Sequence, residues 1–105
     1  MKRYTVEFSP ESEDQLAELY RYIATQASPE VAYEYTDAVI AFCEGLSQFP
    51  ERGTPRDDIR PAMRVTNYRR RTVVAYAIQG DRISILGVFY GGQDYESALQ
   101  QHRKD

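Results

Sequence analysis

Residues Met63 to Tyr90 read MRVTNYRRRTVVAYAIQGDRISILGVFY, and the fold turns on how this stretch is parsed. Val73, Ala75 and Ala77 alternate with Val74, Tyr76 and Ile78, and after Gln79-Gly80-Asp81 a second apolar run returns from Arg82 to Tyr90. β-Branched and aromatic residues around a Gly-Asp pair predict a hairpin. Glycine enters positive φ at little cost, and the resulting turn matches the twist of the strands. Met63 to Asn67 adds a short strand before the hairpin, with Tyr68 to Arg71 as the turn between them.

Working outward toward the N-terminus, Tyr4-Thr5-Val6-Glu7-Phe8 alternates apolar and polar and predicts a first strand. Ser9-Pro10-Glu11 then supplies a capping hydroxyl, a proline at the first helical position and an acid in the first turn. Leu16, Leu19, Tyr20, Ile23 and Ala27 recur at steps that share one helical face. Ser28-Pro29-Glu30 repeats the start signal, so two helices must double back as an antiparallel hairpin. The second helix carries Val31, Tyr35, Ala38, Val39, Phe42, Leu46 and Phe49 before Pro50 stops it. Glu51 to Pro61 lacks apolar periodicity and reads as a loop. Beyond Gly91-Gly92-Gln93, Asp94 is placed to cap a short final helix, Tyr95 to Gln101, with Ala98 and Leu99 facing inward. The order β-α-α-β-β-β(-α) predicts an α+β fold in one domain, residues 1–105. It is an antiparallel sheet with the N-terminal helical hairpin on one face and the other face, or a groove, left open.

Composition bounds the function. Apolar and charged fractions of 42% and 28% are those of a globular protein, and no run approaches the roughly 18 apolar residues of a membrane span. The N-terminus has no apolar segment of the signal-peptide kind, which makes cytoplasm the expected compartment. Cys43 is the one cysteine; beside Phe42 and Leu46 it reads as a small core hydrophobe. One cysteine and one histidine, the latter in the tail at position 102, make no zinc site, and no phosphate loop or dinucleotide fingerprint is present. Neither metal nor cofactor is expected.

The net charge of −3 hides an asymmetry. Residues 1–51 hold three basic groups against ten acidic ones, whereas residues 52–105 hold ten against six. Seven arginines and no lysine lie between Arg52 and Arg71. Guanidinium groups suit planar, bidentate recognition of carboxylate or phosphate, although such a cluster also serves as a solvated face lying over apolar surface. Nine tyrosines accompany them, with Arg64, Arg70, Tyr68, Tyr76 and Tyr90 all in the sheet half. Arginine beside an aromatic ring can clamp a phosphate and stack a base, or anchor a protein interface.

Four segments carry a family resemblance: YTVEFSPESEDQLAELYRYIA from Tyr4, SPEVAYEYTDAVIAFCEGLSQFPERG from Ser28, MRVTNYRRRTVVAYAI from Met63 and ISILGVFYGGQDY from Ile83. Their order and spacing resemble the RelE/ParE toxin superfamily of type II toxin–antitoxin systems, over nearly the whole chain. The resemblance implies a small β-α-α-β-β-β toxin neutralised by a cognate antitoxin, ParD-like or another small DNA-binding protein, through which alone DNA would be met. RelE-like members cleave mRNA on the ribosome without a metal, whereas ParE-like members block DNA gyrase by binding. Arg64 matches the arginine that both branches keep on the first strand after the helices, and Tyr90 stands where RelE-like members end the last strand. A nuclease would therefore use Arg64 and Tyr90. The absence of lysine between Lys2 and Lys104, and the acidic N-terminal half, suit ribosomal RNA poorly and favour the ParE-like branch. A relative that has lost toxicity and only binds an antitoxin is the third reading. The expected target-binding residues are Arg64, Tyr68, Arg70, Tyr76, Phe89 and Tyr90. Those expected to meet the antitoxin are Leu16, Leu19, Tyr20, Ile23, Arg60 and Met63.

Overall fold

Both Ser-Pro-Glu signals start helices. In the computed structural model, which describes residues 3–104 and side chains as far as residue 100, Thr5–Phe8 forms β1 and is followed by α1 (Pro10–Gln26) and α2 (Pro29–Glu44). Ser9 Oγ accepts the Ser12 amide and Ser28 Oγ the Val31 amide, both at 3.1 Å, which satisfies donors that a helix start leaves unpaired. Then come β2 (Thr54–Pro55), β3 (Met63–Tyr68), β4 (Thr72–Gln79), β5 (Arg82–Tyr90) and α3 (Tyr95–Lys104). Gly80 takes φ +62° in the β4–β5 turn, as the Gly-Asp pair requires. α3 runs three residues past its expected end, and the His102 side chain lies outside those described.

The sheet order is β1-β5-β4-β3-β2. β3, β4 and β5 form the expected antiparallel meander, but β1 lies parallel to β5, from Thr5 opposite Arg82 to Phe8 opposite Ile85. The sheet is therefore mixed rather than wholly antiparallel. A two-helix crossover after β1 is long enough to permit a parallel neighbour, and β5 offers the free edge. Within the segment expected to be loop, Thr54 and Pro55 pair with Val65 and Arg64. Proline fits there because an edge strand can dispense with its N–H.

One irregularity decides which residues share a face. Ala75 pairs with Gly87 but Tyr76 pairs with Ile85, so β5 carries an extra residue and its alternation changes phase. Ile83 and Ile85 before the bulge and Val88 after it all join Val74, Tyr76, Leu16, Val39, Cys43 and Leu46 in the main core. Phe89 goes to the opposite face with Ala75, Ile59, Met63 and Leu99, and Tyr90 returns to the helical side beside Leu19, Ile23 and Ala32. Glycine at 87 permits the bulge: a Cβ there would stand 2.5 Å from the Phe89 ring. With β1 ended, the Val88 amide donates to Gln15 Oε1 at 2.7 Å.

The face expected to be open is covered. α3 and the 56–62 segment close over it, with Leu99 and Ile59 buried beneath them. Arg56 ties the two together, donating from Nε and Nη2 to Asp58, from Nη2 to Glu96 Oε2 at 2.6 Å and from Nη1 to Tyr95 Oη at 2.9 Å. The stripe on α2 is also rotated from the expected one: Ala32, Thr36, Val39 and Cys43 are buried, whereas Val31 is exposed; the helix ends at Glu44, short of Phe49, which is exposed in the loop beyond it.

Candidate functional site

The sequence candidates divide into those the sheet consumes and those it presents. Arg64 donates from Nε to the Arg52 carbonyl and from Nη2 to those of Glu51 and Gly53, at 3.0, 2.6 and 3.1 Å. It is thereby the clasp that holds the loop after α2. Tyr76 is fully buried, its hydroxyl donating to the Pro50 and Arg52 carbonyls, and burial pushes its pKa up. Phe89 is buried beneath α3. As placed, Tyr76 and Phe89 offer no surface to a target. Their predicted exposure fails because Tyr76 belongs to the helical core and the bulge sends Phe89 to the other side.

Most of the expected antitoxin set is likewise buried. Leu16, Leu19, Ile23 and Met63 are at most 9% exposed, since the apolar stripe of α1 and the start of β3 pack inside this chain. Tyr20 stands at 36%, and Arg60 is half-buried, donating to the Leu99 carbonyl at 3.2 Å.

What does converge lies at one end of the sheet, where β3 turns into β4 and β5 ends. Tyr68, Arg70 and Tyr90 are there together. Tyr90 packs against Tyr22 and Tyr35, Tyr35 against Tyr68, and Tyr68 against Phe42, with ring centroids 5.3–6.0 Å apart. Tyr35 Oη and Thr72 Oγ1 lie 2.6 Å apart, fixing this aromatic file to the start of β4. Offset and edge-on rings of this kind add about 0.5–1.5 kcal/mol per pair beyond area burial.

Beside the file opens a cleft of about 460 Å³ between α1 and the end of β5, lined by Gln15, Glu18, Tyr22, Arg71, Tyr90 and Gln93 among others. Gln15 and Gln93 accept the amides of Val88 and Tyr90 through their carbonyl oxygens, at 2.7 and 2.8 Å. Their amide nitrogens, the Arg71 guanidinium and two phenols equip the cleft to hydrogen-bond a carboxylate or a peptide. Arg71 belongs to the arginine cluster the sequence singled out, whereas sequence reasoning missed Gln15, Glu18, Tyr22 and Gln93. Tyr22 sits off the apolar stripe of α1, a weak signal, while the glutamines carry none until the bulge is known.

Cys43 is fully buried, and burial, assisted by Glu44, pushes its thiol up to about 12, far from a nucleophile's range. Among the described residues no group of three or more His, Cys, Asp or Glu could hold a metal ion. Nor is any described helix long and apolar enough to cross a membrane.

A family model described as the ParE toxin of the type II toxin–antitoxin system parDE matches residues 6–95. The chain belongs to the ParE toxin family. Its fold is that of the solved "Chromosomal ParDE TA system from P. aeruginosa", at TM-score 0.73 and 18% identity over 85% of this chain and 97% of that one. It is also that of the toxin–antitoxin complex RelBE2 from Mycobacterium tuberculosis, at TM-score 0.59 and 23% identity over 84% and 98%. No curated protein matches the chain. The ParE match spans the strands, both long helices and the start of α3, so every element that builds the cleft lies within it.

Proposed function

We propose that this ParE-family chain arrests its host by binding DNA gyrase and is held inactive by a cognate antitoxin. The observation that carries this reading is the ParE match across residues 6–95. The antitoxin partner is supported by the two solved relatives, both toxin–antitoxin systems. Binding rather than RNA cleavage is favoured by Arg64, whose donors go to the carbonyls of residues 51–53 instead of outward to a phosphate. A surface of exposed arginines and half-buried tyrosines is the composition of an interface hot spot.

Expression in cells without the antitoxin tests this. Incorporation of labelled thymidine should fall before that of labelled methionine. Prompt loss of methionine incorporation with mRNA cut at the ribosome would replace the gyrase reading by nuclease action. Normal growth at high toxin levels would mark a non-toxic antitoxin binder.

A further inference from the structure

The turn between β3 and β4 holds two arginines in the conformation that glycine and asparagine adopt most cheaply. Arg69 has φ +57° and Arg70 φ +89°, in a three-residue connection between the paired residues Tyr68 and Thr72. An L side chain with a Cβ is strained there, and turn positions of this kind ordinarily take Asn or Gly. Strain kept at a surface turn points to a use for the side chains.

Their surroundings indicate which. The Arg69 guanidinium lies 5.4 Å over the Tyr68 ring, Tyr68 packs on Phe42 at 5.3 Å, and Arg52 lies 5.2 Å over Phe42 and 5.8 Å over Phe49. Arg52 and Arg69 thus flank the Phe42–Tyr68 ring pair in one strip that runs from Phe49 to Arg69, and Phe49 is 61% exposed. A guanidinium stacked on a ring keeps its N–H donors in the plane, ready for a carboxylate. The ion pairs found among the described residues use Arg56 and Arg82, not these arginines.

We infer that the strip of Arg52 and Arg69, with the exposed Arg70 next to it in the turn, docks an acidic protein segment with an apolar anchor, and that this segment belongs to the toxin's target, an inference that rests on the gyrase reading. Charge complementarity selects a short acidic peptide over a nucleic acid. α1 and α2, which contribute rings to this end of the sheet, carry eight acidic residues against one arginine, so a long polyanion would meet repulsion beyond the strip. The target is chosen over the antitoxin because an antitoxin can be refitted on its own side. A target's surface is fixed by its own work, so strain retained in the toxin is expected where the target meets it.

The variant carrying Arg69→Asn and Arg70→Gly relieves the strain and removes both side chains. Arg82→Gln, at the start of β5 at the opposite end of the sheet, is the control for lost charge. The double variant should melt a few degrees higher than the parent, bind the antitoxin as tightly, and need at least about tenfold more protein to half-inhibit purified gyrase. Arg82→Gln should inhibit as the parent does. Undiminished inhibition by the double variant overturns the inference alone, as does a lower melting point or a selective loss of antitoxin binding. If the parent chain itself leaves supercoiling untouched, the gyrase reading fails and this inference falls with it.

Discussion

At the residue scale, single atoms fix positions that composition cannot reveal. A methyl at Gly87 would meet the Phe89 ring at 2.5 Å and Gln15 Oε1 at 3.3 Å. Gly87→Ala should therefore cost about 1–3 kcal/mol in a urea titration, as overpacking does, and an unchanged midpoint would show that the ring moves aside freely. Tyr76→Phe leaves the core filled but strips the hydroxyl from the Pro50 and Arg52 carbonyls. About 1 kcal/mol should be lost, with faster amide exchange confined to the loop after α2. The Cys43 thiol, raised to about 12 by burial, should react with a thiol reagent only as fast as the protein opens. Cys43 could be placed from the sequence because its helical neighbours are apolar. Arg64 could not be read in the same way: its position on β3 was correct, but its role depends on carbonyls eleven to thirteen residues earlier in a loop without periodicity.

At the element scale, the two long helices and the β4–β5 hairpin were legible because their signals are local: serine caps with proline behind them, and a glycine turn between β-formers. The parallel seat of β1, the two-residue β2 and the bulge at Leu86–Gly87 were not, since each depends on a partner distant in sequence. The bulge mattered most for the site. Simple alternation puts Phe89 with Ile83 and Ile85, whereas the extra residue gives that side to Tyr90. α3 was predicted, but its cover over the far face was not, because Arg56 is joined to Glu96 and Tyr95 only in three dimensions. Acid should loosen that cover. Arg56 holds the Asp58 carboxyl below its usual range, and hydrogen bonds from Ser97 do the same for Asp94 at the start of α3. Both folded pKa values lie below the unfolded ones, so their stabilisation is complete only above about pH 5 and is lost as pH falls through the unfolded and then the lowered values. Amide exchange in α3, corrected for intrinsic rates, should speed up at pH 2.5 relative to pH 6 before the β4–β5 hairpin responds. Equal protection at both pH values would contradict the clasp.

At the scale of the whole molecule, charge is partitioned by element. The helices are acidic, while arginines concentrate in the loop before β3 and at the β3–β4 turn, on a chain of net charge −3. Such a charge distribution opposes binding along a long polyanion and leaves the positive potential local to the arginine end. Belonging to the ParE family was legible from four spaced motifs. Which side chains the sheet half presents depends on the bulge in β5 and on the loop that Arg64 holds. The most direct measurement is conversion of relaxed plasmid to supercoiled form by purified gyrase and ATP, with increasing amounts of this chain and then of its antitoxin. Inhibition near stoichiometric amounts, reversed by the antitoxin, is the predicted result; full supercoiling at a large excess of active toxin would contradict the account.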